Sequence, residues 1–482
     1  MHIQIVLRFV GILIFFLGLS MAFPLGVSLF YDDGSAYAMT YSMLVTAGIG
    51  LFAFLVTRKQ EDVHLNHRDG VAIVTLGWAA SGLAGAIPFL LSGAIPDFTG
   101  AYFESLSGFT TTGASVLTDI EGLPAGILMW RSLTQWFGGM GIIVLSIAIL
   151  PFLGIGGMQL YKAEIPSPVV DKLKPRISDT AKTLWKVYIL ITALEIVFLS
   201  LGGMPLFESL CHTFCTMPTG GFSPKNASIA HYNSAYFDGV IIVFMLLAGI
   251  NFSLHYRLIK GDRGIFLRDP ECRVFLALAG IFTVLVTLDI YGSVYGSLLK
   301  AFRYAAFQVS SIMTTTGFVT ADYDLWPAFS KILLLLCMFL GGMAGSTGGG
   351  MKTMRIMLLV KHAYQEIFRI IHPHAITSVK LGGKPVPGEI LSSIWGFFIL
   401  YLGLFVASTV TMALVGLDIV SAFASVAACI FNVGPGLAMV GPVRNYLEIP
   451  LAGKWVLIFC MLLGRLEIYT VIVLLIPEYW RK

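Results

Sequence analysis

The chain has 482 residues, of which 57% are hydrophobic and only 12% are charged, and its net charge is +4. A soluble domain carries about 25% charged residues, so this composition excludes a soluble protein and indicates a membrane domain. The small net charge does not indicate a nucleic-acid partner, and the six cysteines form no CxxC pair that would indicate a metal site.

Apolar runs long enough to cross a membrane recur along the whole chain, since a transmembrane helix needs about 20 such residues. They predict helices at about 4–30, 37–57, 70–92, 125–152, 180–203, 236–259, 273–292, 326–360, 390–415 and 452–477. The run at 326–360 is too long for one span and contains several glycines. The first run is longer than the apolar region of a signal peptide and has only a weak cleavage site, so we expect it to be retained.

The basic residues indicate the orientation of the helices, because loops rich in Lys and Arg stay in the cytoplasm. The segments 58–69, 152–187, 256–273 and 352–387, together with the two termini, hold 23 of the 31 basic residues. We therefore predict a multi-pass protein in a lipid bilayer with both termini cytoplasmic. Arg465 is the basic residue that fits neither a loop nor a helix end.

Two pairs of matching segments indicate internal repeats. FESLSGFTTTG at 103–113 matches FQVSSIMTTTG at 307–317, with ten positions from Phe to Gly in both. FESLCHTFCTMPTG at 207–220 matches FASVAACIFNVGPG at 423–436, with thirteen positions in both. A further glycine follows 24 to 29 residues after each segment, at Gly138, Gly249, Gly341 and Gly464.

Each matching segment lies between two predicted spans and is too short to cross the membrane. We therefore predict an all-α polytopic membrane protein, with two N-terminal helices and four pseudo-symmetric helix–pore loop–helix repeats around one pore. The predicted boundaries are 1–66 for the N-terminal helix pair and 67–165, 166–262, 263–380 and 381–482 for repeats one to four. All repeats start on the same side of the membrane, which favours a pore-loop protein over a transporter with inverted repeats.

Pore loops around one axis provide a site for a cation. Non-helical backbone is tolerated at membrane depth where it lines a water-filled cavity, and converging helix C-termini favour positive charge there. Rings of backbone carbonyls replace the hydration shell in a potassium filter, and glycine lets consecutive carbonyls face one axis. The predicted potassium ligands belong to Thr111, Thr112, Gly113, Thr219, Gly220, Gly221, Thr315, Thr316, Gly317, Val433, Gly434 and Gly436. The predicted filter glycines are Gly113, Gly220, Gly317 and Gly436.

These filter segments resemble those of the Trk/Ktr/HKT superfamily of potassium transporters, and the likeness covers essentially all 482 residues, including the GRLE motif at 464–467. The resemblance implies potassium uptake across the bacterial inner membrane by a homodimer. It also implies a cytosolic ring of TrkA-type subunits, whose RCK domains bind NAD(H), ATP or ADP. This chain has no GxGxxG fingerprint of its own, and we expect no cofactor in it other than potassium in the filter.

The glycine-rich segment at 341–350 interrupts the long run in repeat three. It is a poor match to a phosphate-binding loop, and the alternatives are a packing hinge or, as the resemblance implies, an intramembrane gate. The predicted gate residues are Gly345, Ser346, Thr347, Gly348, Gly349, Gly350 and Arg465. Near-fourfold packing would bring Arg465 against this loop, either as an electrostatic barrier in the pore or as a partner of another helix.

Other polar residues give weaker indications. Glu104 and Glu208 occupy matching positions in the repeats, where Gln308 and Ala424 replace them, so they form no charge ring and we expect them to bond behind the filter. No HExxH motif is present and the histidines lie mainly in loops, so we predict that the chain is not an enzyme. The residues do not distinguish channel-like flux from proton-coupled symport.

Overall fold

The structure is a computed structural model that describes residues 2–57, 66–141, 177–375 and 377–480. Over these ranges the protein is mainly helical, and the one strand pair within them is the antiparallel hairpin of Lys380–Leu381 and Lys384–Pro385. Most of the predicted basic segments 58–69 and 152–187, and the second half of the predicted helix 125–152, lie outside the described residues.

The N-terminal helices pack closely through glycine. They are Ile3–Ser20 and Ala22–Tyr31, which together form one apolar span, and Ala36–Val56. A Cβ atom at Gly50 would lie 2.3 Å from the backbone nitrogen of Phe15, and one at Gly18 would lie 2.5 Å from that of Ala47. Small residues allow this close approach, which is how helices associate where no hydrophobic driving force acts between them.

Asp33, in the turn between these N-terminal helices, ties them to the first repeat. Its carboxylate accepts hydrogen bonds from the backbone N–H of Gly126, at 2.7 Å, and from Ser28 and Ser35. Partial burial raises the pKa of Asp33, but these hydrogen bonds lower it by more, so the pKa lies below its ordinary value. The ionised side chain therefore anchors the helix pair at physiological pH.

Three kinds of helix recur in the described part of each repeat, and we call them the outer, short and inner helices. The outer helices of repeats one to four are His67–Leu91, Ile177–Leu201, Pro270–Ile290 and Gly388–Leu414. The short helices are Phe98–Phe109, Leu206–Thr216, Leu298–Met313 and Ile419–Ile430. The inner helices are Ala125–Gly139, Ala235–Gly249, Ala328–Phe339 and Leu451–Arg465. The short helices contain 11 to 16 residues, so none is long enough to cross about 30 Å of hydrocarbon.

Aspartates define where two of the short helices begin. Asp97 accepts a hydrogen bond from the N–H of Gly100 at 2.8 Å, and Asp418 accepts one from Ser421 at 2.9 Å. Each carboxylate satisfies a backbone donor that the first helical turn leaves without a partner. Both short helices therefore start at a position that the sequence specifies locally.

The predictions of continuous inner helices at 236–259 and 452–477 are wrong. In repeat two the chain bends by 103° between Gly249 and Phe252, and in repeat four it bends by 115° between Arg465 and Tyr469. Asn251 caps the new helix in repeat two, and Glu467 and Ile468 adopt positive φ in repeat four. The break predicted at 341–350 in repeat three is therefore one example of a feature that these repeats share.

Further helices follow the breaks. They are Phe252–Ile259, Ile265–Arg268, Thr353–Ile371, Tyr469–Ile472 and Pro477–Trp480. Short 3₁₀ segments precede the inner helices of repeats two, three and four, at Ser228–Tyr232, Tyr323–Leu325 and Ala438–Val440, and another lies at Val473–Leu475. Among the described residues, six helices are long and apolar enough to cross a membrane, or eight if each bent pair counts as one span. The inner helix of repeat three, at 12 residues, is too short to span alone.

Candidate functional site

The segments that follow the four short helices within the described residues share one backbone conformation. Each contains a residue with positive φ, then a middle residue, then a glycine with positive φ. The first residues are Thr111, Thr219, Thr315 and Asn432, with φ of 52°, 58°, 62° and 55°. The middle residues are Thr112, Gly220, Thr316 and Val433, and their N–H groups each bond the carbonyl five residues earlier at 2.7 to 2.9 Å. The glycines are Gly113, Gly221, Gly317 and Gly434, with φ of 80°, 78°, 80° and 95°.

These segments meet in a closed ring, which we call the filter ring. A Cβ atom at Gly113 would lie 2.2 Å from the carbonyl oxygen of Gly220 in repeat two. The corresponding distances are 2.0 Å from Gly221 to Thr316, 2.1 Å from Gly317 to Val433, and 2.5 Å from Gly434 to Thr112. Each glycine thus faces the middle carbonyl of the next repeat, in the order one, two, three, four, one. Glycine is required at these places for both its positive φ and its small size.

The predicted filter glycines were misaligned in two repeats. Gly221 and Gly434, rather than Gly220 and Gly436, are equivalent to Gly113. The shared spacing of thirteen is a coincidence, because Phe207 lies 14 residues before the ring glycine of its repeat and Phe423 lies 11 before its own, whereas Phe103 lies ten before Gly113. The chain has already left the ring at Gly436, whose N–H bonds the carbonyl of Val440 at 2.7 Å.

The predicted equivalence of Glu104 with Glu208 and Ala424 is wrong for the same reason. Counting back nine residues from each ring glycine gives Glu104, His212, Gln308 and Ser425. Glu104 accepts hydrogen bonds from Arg131 at 2.7 Å and from the N–H of Val116 at 2.9 Å, behind the ring. Glu208 instead pairs with Lys225 at 3.1 Å.

The segment predicted as a gate contacts residues just beyond the C-terminal ends of short helices two and three. The N–H of Gly349 donates to the hydroxyl of Thr315 at 2.6 Å, and the hydroxyl of Thr347 donates to the carbonyl of Met217 at 2.9 Å. The N–H of Met343 bonds the carbonyl of Gly249 at 2.9 Å, at the break of inner helix two. The structure therefore brings Gly345, Ser346, Thr347, Gly348, Gly349 and Gly350 together with repeats two and three.

Arg465 joins this loop to the ring. Its guanidinium donates to the carbonyl of Thr347 at 2.8 Å and to the hydroxyl of Thr111 at 3.1 Å. It also donates to the carbonyls of Gly138 and Gly139, at the end of inner helix one. Gly138 and Gly139 are the last two residues of that helix, where carbonyls can bond outside the helix, and the fork of five N–H donors suits several acceptors at once.

Two charged residues near the loop were missed by the sequence analysis. The carboxylate of Glu271, on outer helix three, accepts hydrogen bonds from the N–H of Ala344 at 2.9 Å and of Met354 at 3.0 Å, so it holds both ends of the loop. The ammonium of Lys352 donates to the carbonyl of Gly348. A glutamate in the first turn of an apolar helix, and a lysine two residues after a glycine run, were the available signals.

No group of three or more His, Cys, Asp or Glu side chains within the described residues is placed to hold a metal ion. The ring residues themselves carry no carboxylate, so their oxygen atoms are the neutral ones of backbone carbonyls, Thr hydroxyls and the Asn432 amide. Neutral ligands of this kind can replace the water around a monovalent cation.

Comparisons with known proteins give the family. A family model described as TrkH, a cation transport protein, matches residues 40–482. The chain is 44% identical to the Trk system potassium uptake protein TrkH of Escherichia coli K12, with 100% of both chains covered. It is 38% identical to TrkG of the same strain, with 100% of this chain and 99% of TrkG covered.

A solved structure agrees. The crystal structure of the potassium transporter TrkH from Vibrio parahaemolyticus matches with a TM-score of 0.90 and 39% identity over 100% of both chains. The predicted all-α polytopic fold is confirmed, and so is the prediction that the protein is a transporter rather than an enzyme. By sequence and by structure, this multi-pass membrane protein belongs to the TrkH family of potassium uptake proteins.

Proposed function

We propose that this chain takes up potassium across the bacterial inner membrane through one channel-like pore, with the filter ring as its selectivity filter. The observation that carries the proposal is the closed ring in which each of four glycines lies against the middle carbonyl of the next repeat. The potassium ligands would come from Thr111, Thr112, Gly113, Thr219, Gly220, Gly221, Thr315, Thr316, Gly317, Val433 and Gly434. Gly436 is outside this set because its backbone lies beyond the ring.

The charge distribution supports a monovalent cation as substrate. All four short helices lead directly into the ring, so their C-terminal dipole ends, each equivalent to roughly half a negative charge, converge there. No acidic side chain is among the ring residues. Strong fields from carboxylates would favour divalent cations, whereas neutral oxygen atoms suit potassium and rubidium.

A gate formed by the loop and Arg465 completes the proposed pathway. The loop bonds the ring through Thr315, and Arg465 bonds both the ring and the loop. At an effective dielectric constant of about 20, a unit charge about 8 Å away opposes a potassium ion by roughly 2 kcal/mol. A barrier of this size slows ion passage by roughly 30-fold, to which the loop lying against the ring would add a steric obstruction.

The remaining parts of the proposal concern partners and location. The relatives are named as components of a Trk system, which supports a separate regulatory subunit. We expect a homodimer in the bacterial inner membrane with both termini cytoplasmic, together with a TrkA-type ring of RCK domains that bind NAD(H), ATP or ADP. Nucleotide binding to that ring would move the loop and Arg465 apart.

Purified protein in liposomes tests the proposal. Bi-ionic reversal potentials should show permeation by potassium and rubidium, weaker permeation by sodium, and none by calcium. Equal potassium and sodium permeation, or a calcium current, would reject the ring as a potassium filter. The same liposomes with an imposed pH gradient separate the two transport modes, since only proton-coupled symport accumulates potassium against its own gradient.

A further inference from the structure

Gln135, on inner helix one, bonds the filter backbone of repeat two. It is fully buried, and its amide nitrogen donates to the carbonyl oxygen of Gly220 at 2.6 Å. Its amide oxygen accepts a hydrogen bond from the N–H of Phe222 at 3.1 Å. Both halves of the amide therefore hold the chain on either side of the ring glycine Gly221.

Gln135 also explains why repeat two has glycine as its middle residue. The other repeats have Thr112, Thr316 and Val433 there, all β-branched. Gly220 does not adopt positive φ, so its backbone would accept a side chain. A Cβ atom at Gly220, however, would lie 2.4 Å from the side-chain Cδ of Gln135. The amide occupies the space that the missing side chain would fill.

Repeat four shows that this contact makes the ring asymmetric. Gly138 of repeat one and Gly464 of repeat four are equivalent. Gly138 lies against the carbonyl of Phe109 and Gly464 against the carbonyl of Ile430. Each of these carbonyls belongs to the residue four positions before the ring glycine of its repeat. Gln135 lies three residues before Gly138, and the residue three before Gly464 is Met461. Methionine has no hydrogen-bond donor, so it cannot hold a carbonyl in this way.

We propose that Gln135 determines cation specificity by weakening the field that the Gly220 carbonyl presents to the ion. The inference rests on the proposed function of the ring as a potassium filter. A carbonyl oxygen has two lone pairs, and here one is used by the Gln135 amide, which leaves less charge for a cation. Ligands of stronger field favour the smaller sodium ion, and field strength is one of the quantities that separate potassium from sodium.

Two variants of Gln135 test this. Gln135→Met keeps the unbranched side chain but loses both hydrogen bonds, as at the equivalent Met461 of repeat four, and Gln135→Leu loses both with a branched side chain. In bi-ionic recordings we expect the sodium-to-potassium permeability ratio to rise about threefold in both, because the carbonyl of Gly220 loses one hydrogen bond of ordinary strength. Ser132→Ala is the matched control, since Ser132 is buried on the same helix and bonds the carbonyl of Leu128 and the thiols of Cys211 and Cys215, which lie on short helix two and not in the ring.

A rescue experiment tests the shared space. Gly220→Ala alone should nearly abolish potassium current, because its Cβ meets the amide of Gln135. Adding Gln135→Ala should recover the current by about tenfold, as expected for residues in contact, while the raised sodium permeability of the Gln135 variants persists. The recovery tests the shared space alone, and the persistent rise in sodium permeability is the readout that a residue with only a packing role would not give.

The outcomes separate the two proposals. Folding of each variant is checked by size-exclusion chromatography, and if the leucine variant does not fold, the unbranched methionine variant decides. A wild-type permeability ratio in Gln135→Met, or no recovery in the double variant, would overturn the role of Gln135. Failure of the wild-type protein itself to prefer potassium over sodium would instead reject the filter.

Discussion

At the scale of single residues, the ring glycines combine two properties that are separable by mutation. Gly113 has φ of 80° and would place a Cβ atom 2.2 Å from a neighbouring carbonyl oxygen. Gly93, in the loop before short helix one, has a similar φ of 73° but no atom within 4 Å of its Cβ position. A substitution at Gly93 therefore imposes only backbone strain, whereas one at Gly113 also displaces the ring.

We expect Gly113→Ala to lose most potassium current and to bring the potassium-to-sodium permeability ratio close to one. Gly93→Ala should keep both properties and lower stability by about 1 kcal/mol, the cost of a non-glycine residue at positive φ. Reversal potentials and thermal unfolding in detergent measure the two effects. Wild-type selectivity in Gly113→Ala would show that the ring is not the filter.

Arg465 acts at the same scale, through charge and hydrogen bonds together. Arg465→Ala should raise potassium flux in the absence of a regulatory partner by at least about tenfold, since the barrier of roughly 2 kcal/mol exceeds the 1.4 kcal/mol that changes a rate by that factor. Arg465→Lys keeps the positive charge but not the planar fork of donors, so it should give a smaller increase. Rubidium uptake into liposomes measures both, and wild-type flux in Arg465→Ala would exclude this residue from the gate.

At the scale of elements, the broken inner helices create the space for the loop and the bonds that position it. The chain turns away at Gly249, and the carbonyl of Gly249 then accepts from Met343 of the loop. Glu271 at the start of outer helix three holds the loop from the other side, through Ala344 and Met354. The loop is thus positioned by helix ends, where backbone groups are free to bond outside their own helix.

We expect Glu271→Ala to free the loop and to raise basal rubidium uptake several-fold, because two buried N–H groups lose their acceptor. Asp269→Ala is the matched control. Asp269 caps the same outer helix through the N–H of Cys272, at 2.8 Å, so its loss should cost about 1 kcal/mol of stability without changing flux. Equal uptake by the two variants would mean that Glu271 supports only the helix.

At the scale of the whole molecule, the surface divides between lipid and water. Outer helix three exposes Ile281, Val284 and Leu288, which lie on one helical face, as expected for a surface against hydrocarbon. Arg257, Lys260 and Arg263 are exposed beyond the break of inner helix two, on the predicted cytoplasmic side. These basic residues would bind either a regulatory ring or anionic lipid.

Charge reversal at Arg257, Lys260 and Arg263 should reduce copurification with a cytosolic nucleotide-binding ring by at least about tenfold at low salt, since several charge-assisted contacts are lost. Lys300→Glu, an exposed lysine on the predicted opposite side, is the control and should copurify normally. Unchanged copurification, together with weaker binding to anionic vesicles, would assign this patch to lipid instead.

The amino-acid sequence by itself determined the class of protein, the four pore-loop repeats and most of the ring residues. Composition and apolar runs are properties of the chain alone, and TTTG at 110–113 and at 314–317 places two ring segments in register without a structure. The glycine run at 341–350 likewise predicted a break, because glycine weakens a helix wherever the helix lies.

Only the tertiary structure decided the register of repeats two and four and the breaks in their inner helices. Gly221 and Gly434 are recognisable as ring glycines because a neighbouring repeat's carbonyl lies against them. Glu467 and Ile468 hold positive φ without any glycine to indicate it. Contacts such as Gln135 with Gly220 join residues 85 positions apart, and pairing over that distance depends on how the repeats close around one axis.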